Sequence, residues 1–277
     1  MLRSLVGSEM CIRDRDNTFE GTASDQNTDF KSKCSQRMPM SEVKRDDVLP
    51  ALLVADDQRS RNEPEIAANI ATQLEHMGLH TWSISVLRRL RDAIGRLSPT
   101  SVLEIGASIG HRSAWLYDLF TTQKPKKYDM VEQGAKFGVI LFRLQSRYEA
   151  ATWSNILVGE FTTLLAEAKA WSMTMKSGVG TGEKRLDLSY DAIIVDDQPA
   201  NLASTISESL PLLTQNGVLF TVEPPTPTGN YDELDETEQA QVDGFNDWIK
   251  LIESSNSTHH MAFVPLFEGT LVAFFKR

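Results

Sequence analysis

Short apolar runs that alternate with helix-sized segments constrain the fold of this chain more than any other feature of its sequence. The runs are SVLEI (101–105), YDMVE (128–132), NILV (155–158), YDAIIVD (190–196) and VLFTV (218–222). Runs that are apolar on both faces and joined by helices are typical of a parallel sheet with helices on both sides. The sequence therefore predicts an α/β fold, a Rossmann-like three-layer sandwich.

The chain closes with two further apolar runs that only a tight turn can join. HMAFVP (260–265) and TLVAFF (270–275) flank a short link in which Glu268-Gly269 suits a turn. So short a link makes the two strands antiparallel, because a parallel pair needs a crossover of roughly a dozen residues or more. The expected sheet has seven strands, mostly parallel, with an antiparallel last strand.

Two amphipathic helices are predicted before the first strand. Residues 62–64 (Asn-Glu-Pro) are typical of a helix start, and apolar residues at helical spacing then share one face as far as Gly78. A second helix follows Ser83 and ends at Ser98-Pro99, with an apolar stripe opposite a set of arginines. We assign residues 62–277 to one folded domain.

The preceding residues have a different composition. From 16 to 61 the chain is mostly polar, which predicts a disordered leader because too little surface can be buried to offset the entropy of ordering. Val48–Val54 (VLPALLV) is an apolar exception that could dock on the folded domain. Residues 5–15 (LVGSEMCIRDR) resemble the translation of a transposase adapter used to prepare DNA sequencing libraries. We therefore expect residues 1–15 to be an assembly artefact.

The net charge and the cysteine content indicate which classes of partner and which cellular compartment to expect. The chain carries 28 basic and 38 acidic residues, a net charge of −10, whose field repels nucleic acid. A small-molecule partner is therefore expected, and nucleic acid is disfavoured. No run of about 18 apolar residues marks a membrane span, so no membrane partner is expected. Cys11 and Cys34 give no disulfide framework, and the predicted location is cytoplasmic.

A glycine-containing turn after the first strand marks a ligand site. Gly106 and Gly110 lie between a buried strand and a helix, where ligands bind in open α/β sheets. The dinucleotide pattern G-x-G-x-x-G is absent, because Ser108 holds the middle glycine position. Glu132 closes the second strand, where an acid can accept hydrogen bonds from both hydroxyls of a ribose. The pattern disfavours pyrophosphate binding, and a solvated glutamate at the strand end stays the alternative for Glu132.

Six sequence motifs occur in an order typical of a known family. They are LEIGASIG, the acid in YDMVEQ, the YDAIIVDD strand end, LPLLTQNGVLFTVE, the GFNDWI helix and the closing VPLFEGTLVAFFKR. Together they resemble the motifs of class I S-adenosylmethionine-dependent methyltransferases, and more narrowly the O-methyltransferases that include the catechol and caffeoyl-CoA enzymes. The likeness covers residues 79–277. It implies that S-adenosylmethionine is the cofactor and that a methyl group passes to a small-molecule hydroxyl of catechol or phenol type.

The resemblance also implies roles for individual residues. The residues at the methionine end of the cofactor would be Glu104, Gly106, Ala107, Ser108 and Gly110. Those at the nucleoside end would be Glu132 on the ribose hydroxyls, with Gln133, Gly159 and Glu160 beside the adenosine. Asp196 would face the methyl donor and is the candidate catalytic residue. Alignment and deprotonation of the acceptor are the enzyme's main tasks, since the sulfonium is already activated.

The sequence departs from the divalent-metal members of this group. In those members the fourth strand ends in an Asp followed three residues later by a Lys thought to act as a base, and the fifth ends in Asp-Asn. Here Pro199 stands in place of that Lys, and Glu223-Pro224 replaces Asp-Asn. Asp196 and Glu223 could still hold Mg²⁺ with waters, because this ion often takes only one or two protein carboxylates.

Other interpretations stay open at this point. His80 and His111 are both candidates for a general base. The missing Lys and Asn also fit a degenerate member that binds the cofactor without turnover. Arginines at 88–96 and lysines at 124–127 could form a basic face for a tRNA-modifying enzyme, although they also suit solvated helix surfaces. A homodimer is common in the family.

Overall fold

The computed structural model describes residues 47–178, 184–228 and 235–277. In these ranges the chain forms a seven-stranded sheet between two helical layers. The strands are β1 Ser101–Ile105, β2 Lys127–Glu132, β3 Ser154–Val158, β4 Tyr190–Val195, β5 Leu213–Val222, β6 His259–Leu266 and β7 Gly269–Lys276. The α-helices are α1 Val48–Leu52, α2 Glu65–Met77, α3 Ile84–Leu97, α4 His111–Phe120, α5 Ala135–Arg147, α6 Phe161–Lys176, α7 Pro199–Ser209 and α8 Glu236–Ser255. The predicted α/β three-layer architecture is confirmed.

The order of strands across the sheet is β3-β2-β1-β4-β5-β7-β6. Neighbours from β3 to β5 pair in parallel, whereas β7 is antiparallel to both β5 and β6. The turn between β6 and β7 places Glu268 at φ +57° and Gly269 at φ +154°, which confirms the predicted hairpin. After β1 the chain moves outward through β2 and β3, and it then returns to the other side of β1 as β4. This reversal makes the carboxyl edge of β1 and β4 the place where a ligand crevice is expected.

Each face of the sheet has its own apolar core. Alternate residues of one strand point to opposite faces, so Val102 packs under α2 to α5 while Leu103 packs under α6 to α8. Both side chains are fully buried, as is usual for a parallel sheet covered on both sides. None of the helices in the described ranges is long and apolar enough to cross a membrane.

The helix ends follow from local sequence. The Ser83 hydroxyl accepts a hydrogen bond from the Val86 amide at the start of α3, and Gly78 ends α2 in a left-handed conformation. The predicted starts and ends of these two helices agree with the structure to within three residues. Asp235 and Glu238 form a reciprocal capping box at the start of α8.

The disordered leader predicted over 16–61 is wrong for residues 47–61. Helix α1 buries Val48, Leu49 and Leu52 in the core, as expected for the one apolar patch of this segment. Arginines of α3 then hold the following turn by its carbonyl oxygens: Arg89 donates to Leu53 at 2.6 Å and Arg96 to Ala55 at 2.9 Å. These bonds satisfy the carbonyls that a helix end leaves without partners. Residues 1–46, with the adapter-like segment, lie outside the described residues.

Candidate functional site

A cavity of about 330 Å³ opens at the carboxyl edge of the sheet. It lies at the topological reversal, where the loops after β1, β2, β3 and β4 meet. Its lining includes Gly106, Glu132, Gln133, Gly159, Glu160, Phe161 and Asp196. The polar residues predicted after four separate strands are therefore brought together by the parallel topology. A cavity of this volume is at the lower end of the range for small-molecule sites, roughly 300–1,000 Å³.

The turn after β1 is held close to both neighbouring strands. The amides of Gly106 and Ala107 donate to the Val131 carbonyl at 3.0 and 3.2 Å. Gly106 has φ +78°, and a Cβ atom at this position would lie 1.8 Å from the Asp196 carbonyl oxygen. Only glycine allows the two loops to approach so closely. Gly110 is required for another reason, because its Cβ would collide with Leu144 of α5 at 2.6 Å.

Glu132 joins the turns after β1 and β2. Its Oε2 accepts a hydrogen bond from the Ser108 amide at 2.7 Å, and its Oε1 accepts one from the Gly134 amide at 2.8 Å. Burial raises the pKa of this carboxyl group, against the lowering effect of the two amides. A carboxylate has about four lone-pair sites, so it retains acceptors for ligand hydroxyls in the cavity. Glu132 thus holds the two turns together and can also accept hydrogen bonds from a ligand.

The rim of the cavity on the β3 side contains the other predicted nucleoside contacts. The Gln133 side-chain amide donates to the Glu160 carboxylate. Gly159, at φ +146°, donates its amide to the Glu132 carbonyl at 3.0 Å and keeps this rim against β2. Phe161 adds a buried apolar wall that the sequence motifs did not indicate. A planar ligand group could pack against Phe161 here and form hydrogen bonds with the polar residues of the rim.

Arg112 is the residue of the site that sequence reasoning missed. Its guanidinium donates to Glu104 Oε1 at 2.8 Å, to Asp196 Oδ2 at 2.7 Å and to the Gly106 carbonyl at 2.8 Å. It also lies over the Trp82 ring, 4.5 Å from the ring centroid. Burial alone would lower the pKa of this group, but the adjoining carboxylates outweigh burial and raise it. In the sequence, Arg112 stands in the mostly apolar helix HRSAWLYDLF, and a charged residue in such a helix indicates a buried partner.

Glu104 does not lie where the resemblance implies. Its side chain is 0% exposed and belongs to neither of the cavities at this edge of the sheet. Besides Arg112, it accepts hydrogen bonds from the Ser113 hydroxyl at 2.9 Å and from the Tyr128 hydroxyl. Glu104 is therefore a buried counter-ion of Arg112, and it can influence the cavity only through that arginine.

The two carboxylates predicted to hold Mg²⁺ do not line the cavity together. Asp196 already pairs with Arg112, and Glu223 is outside the lining of the cavity. Within the described ranges, no three His, Cys, Asp or Glu side chains are grouped so as to hold a metal. The structure thus gives no support to the predicted Mg²⁺ site at Asp196 and Glu223.

The two histidines predicted as candidates for a general base lie in different environments. His111 is buried, with Nε2 2.6 Å from Glu63 Oε1 and Nδ1 3.0 Å from the Thr81 hydroxyl. Burial lowers its pKa more than Glu63 raises it. Both ring nitrogens are occupied, so His111 fastens the N-terminal segment to α4. His80 is exposed and lines a small cavity with Ser108 and Asp196, next to the main one.

Comparisons with known proteins give a consistent structural result. No family model matches the chain, and no curated protein matches it by sequence. Among solved structures, an O-methyltransferase from Bacillus cereus in complex with SAH is similar, with a TM-score of 0.57 at 14% identity over 83% of this chain and 96% of that one. The O-methyltransferase TomG from Streptomyces achromogenes, in complex with SAM and involved in tomaymycin synthesis, gives 0.57 at 15% identity over 78% and 92%. An SAH-bound methyltransferase from Podospora anserina gives 0.57 at 15% identity over 87% and 98%.

These likenesses cover nearly the whole of each solved chain and most of this one. At 14–15% identity they carry an argument about architecture alone, and a TM-score of 0.57 supports a shared fold. The fold expected from the sequence motifs is confirmed. The chain has the Rossmann-like fold that these O-methyltransferases share.

Proposed function

We propose that this protein is an S-adenosylmethionine-dependent methyltransferase that acts on the oxygen of a small-molecule hydroxyl group. One observation carries the proposal: the carboxylate of Glu132 is fixed between two loops and lines a cavity at the topological reversal of a methyltransferase fold. The similar proteins from Bacillus cereus and Streptomyces achromogenes are complexes with SAH and SAM.

The residues present fit this cofactor. Glu132 would hold the ribose hydroxyls, and Gln133, Gly159, Glu160 and Phe161 would surround the adenosine. The turn containing Gly106, Ala107, Ser108 and Gly110 would accommodate the methionine end. When bound, S-adenosylmethionine supplies an electrophilic methyl group on a sulfonium. The protein then has to orient the acceptor oxygen and remove its proton.

Arg112 and Asp196 prepare the acceptor side of the site. The Asp196 side chain is 36% exposed, so its carboxylate faces the cavity while Arg112 holds one of its oxygens. A carboxylate held in this way can accept a hydrogen bond from an acceptor hydroxyl and orient that hydroxyl. Arg112 is a positioning residue in this scheme, because it acts through Asp196 and the Gly106 carbonyl.

His80 is the general base that the geometry favours. It is exposed beside Asp196, and no hydrogen bond to another described residue occupies its ring, in contrast to His111. Replacing His80 with glutamine should lower kcat by about 10²- to 10⁴-fold, the usual contribution of a general base, with little change in cofactor affinity. Steady-state kinetics of H80Q, with the exposed H76Q as the matched control, measure this effect. A kcat within threefold of the parent protein would remove His80 from the mechanism.

The choice between a small molecule and RNA as the methyl acceptor depends on the charge of the protein. The acidic chain disfavours RNA, and three arginines of the proposed basic face are used internally: Arg89, Arg91 and Arg96 donate to carbonyl oxygens of residues 52–60. Lys127 pairs with Asp129 and Asp187, and Lys124 lies over the Trp153 ring. A catechol- or phenol-like hydroxyl compound is therefore proposed over tRNA. The cytoplasmic location and the homodimer stay predictions.

A direct test combines binding and turnover. Calorimetry should detect S-adenosylmethionine binding, and labelled methyl groups should pass to members of a panel of catechols and phenols. Because Asp196 is paired with an arginine, transfer should proceed at the same rate in EDTA and in Mg²⁺. Absence of binding at millimolar cofactor would refute the proposed function. Binding without transfer to any hydroxyl would favour the non-catalytic alternative, and loss of transfer in EDTA would contradict our interpretation of Asp196.

A further inference from the structure

A second cavity, of about 220 Å³, lies between the N-terminal segment and α3. It shares no lining residue with the candidate active site. Five arginines contribute to its wall: Arg59, Arg61, Arg88, Arg89 and Arg91. The acidic residues of the wall are Asp56, Asp57 and Asp92. In a chain with a net charge of −10, this is a local excess of positive charge.

The carboxylates of this wall are already paired with particular arginines. Asp56 accepts a hydrogen bond from Arg59 at 2.9 Å, and Asp92 accepts two from Arg91 at 2.8 and 3.1 Å. Asp57 lies 3.9 Å from Arg61. These three pairs leave the charges of Arg88 and Arg89 without a carboxylate partner in the wall. Arg89 donates to a neutral carbonyl, that of Leu53, so its charge is not compensated.

Arg88 differs from the other arginines of the wall. Its Nε atom is buried and has no hydrogen-bond partner, and its guanidinium forms no ion pair with another described residue. A buried donor that lacks a partner is destabilising, and more so when the group is charged. Arg88 also lines the cavity, so an anion bound there would supply the carboxylate-like partner that its charge lacks among the described residues.

We propose that this cavity binds the phosphate group of a small soluble phosphomonoester. A phosphomonoester carries a charge of about −1.5 to −2 near pH 7, which matches the two uncompensated arginines. Its oxygens suit the fork of a guanidinium, which can donate two parallel hydrogen bonds. The cavity volume of about 220 Å³ leaves room for a small organic group beside the phosphate.

The test compares ribose 5-phosphate with ribose as calorimetric probes of the full chain. The phosphorylated sugar should bind, and ribose should not. R88Q should weaken binding at least about tenfold, since a hydrogen bond to a charged group is lost. R88K, which keeps the charge but loses the fork, should have an intermediate affinity. R143Q, on the exposed face of α5, is the matched control and should bind like the parent protein.

Two outcomes would overturn the proposal. One is no binding of ribose 5-phosphate at about 10 mM in low salt. The other is equal affinity of R88Q and the parent protein, which would place the phosphate elsewhere. Urea midpoints of both variants should equal that of the parent protein, so that a folding defect is recognised. Binding to phosphatidate vesicles but not to the sugar phosphate would contradict a soluble ligand. The result does not depend on S-adenosylmethionine binding.

Discussion

Replacing Arg112 with glutamine should lower the free energy of unfolding by about 3–5 kcal/mol, the usual cost of breaking a buried ion pair on one side only. Arg112 is buried, and its three hydrogen bonds reach two carboxylates and one carbonyl. Glutamine would leave the fully buried Glu104 as an uncompensated charge. Urea denaturation of R112Q against the parent protein measures the difference.

A matched set of variants separates this effect from general damage. R143Q, on the surface of α5, should change the free energy of unfolding by less than about 0.5 kcal/mol. Adding E104Q to R112Q should recover part of the loss, because the unpaired buried charge is then removed. A loss below about 1 kcal/mol in R112Q would show that water or another group replaces the arginine, and that it does not hold the two loops together.

Replacing Glu132 with alanine should weaken S-adenosylmethionine binding by about 100-fold or more. Two hydrogen bonds from hydroxyls to a charged acceptor contribute about 1.5–3 kcal/mol each, and tenfold in affinity corresponds to about 1.4 kcal/mol. The same change frees the amides of Ser108 and Gly134, which the carboxylate now holds. Calorimetry gives the dissociation constant, and a weakening of less than fivefold would refute the role of Glu132.

Glu160 provides the matched control for Glu132. It lines the same cavity but lies at the exposed rim, where it pairs with Gln133. E160Q should therefore weaken binding only severalfold. Cofactor affinity of the parent protein should also fall on acidification from a higher pH than an ordinary glutamate would cause. The reason is that burial raises the pKa of Glu132, and protonation removes the charged acceptor.

Regular elements were predictable because their signals are local. The seven strands lie where the apolar runs predicted them, and most ends agree within a residue. The start of β5 is the exception, since the strand begins at Leu213, five residues before the predicted VLFTV run. Its first part reads TQNG after Leu213 and is partly exposed, so apolar patterning could not mark it. The short hairpin link likewise made the antiparallel β7 predictable.

The N-terminal segment shows where local signals fail. Residues 47–61 belong to a mostly polar stretch, yet they are ordered. Helix α1 buries its apolar side chains in the core, and Arg89, Arg91 and Arg96 of a later helix bind the carbonyl oxygens that follow. The composition of a segment indicates how much apolar surface that segment can bury. It gives no information about hydrogen-bond donors on other helices that can bind the backbone carbonyls of the segment.

The sequence by itself determined the order of strands and helices, the turn at Gly106 and the acid at Glu132, because periodicity, glycine placement and strand ends act over a few residues. Only the tertiary structure decided that Glu104 is the counter-ion of Arg112, that Asp196 pairs with that arginine, and that His111 is occupied while His80 is available. These roles depend on which side chains meet across 8 to 84 residues of sequence separation. Burial and pairing of charges are properties of the assembled core, and no local pattern specifies them.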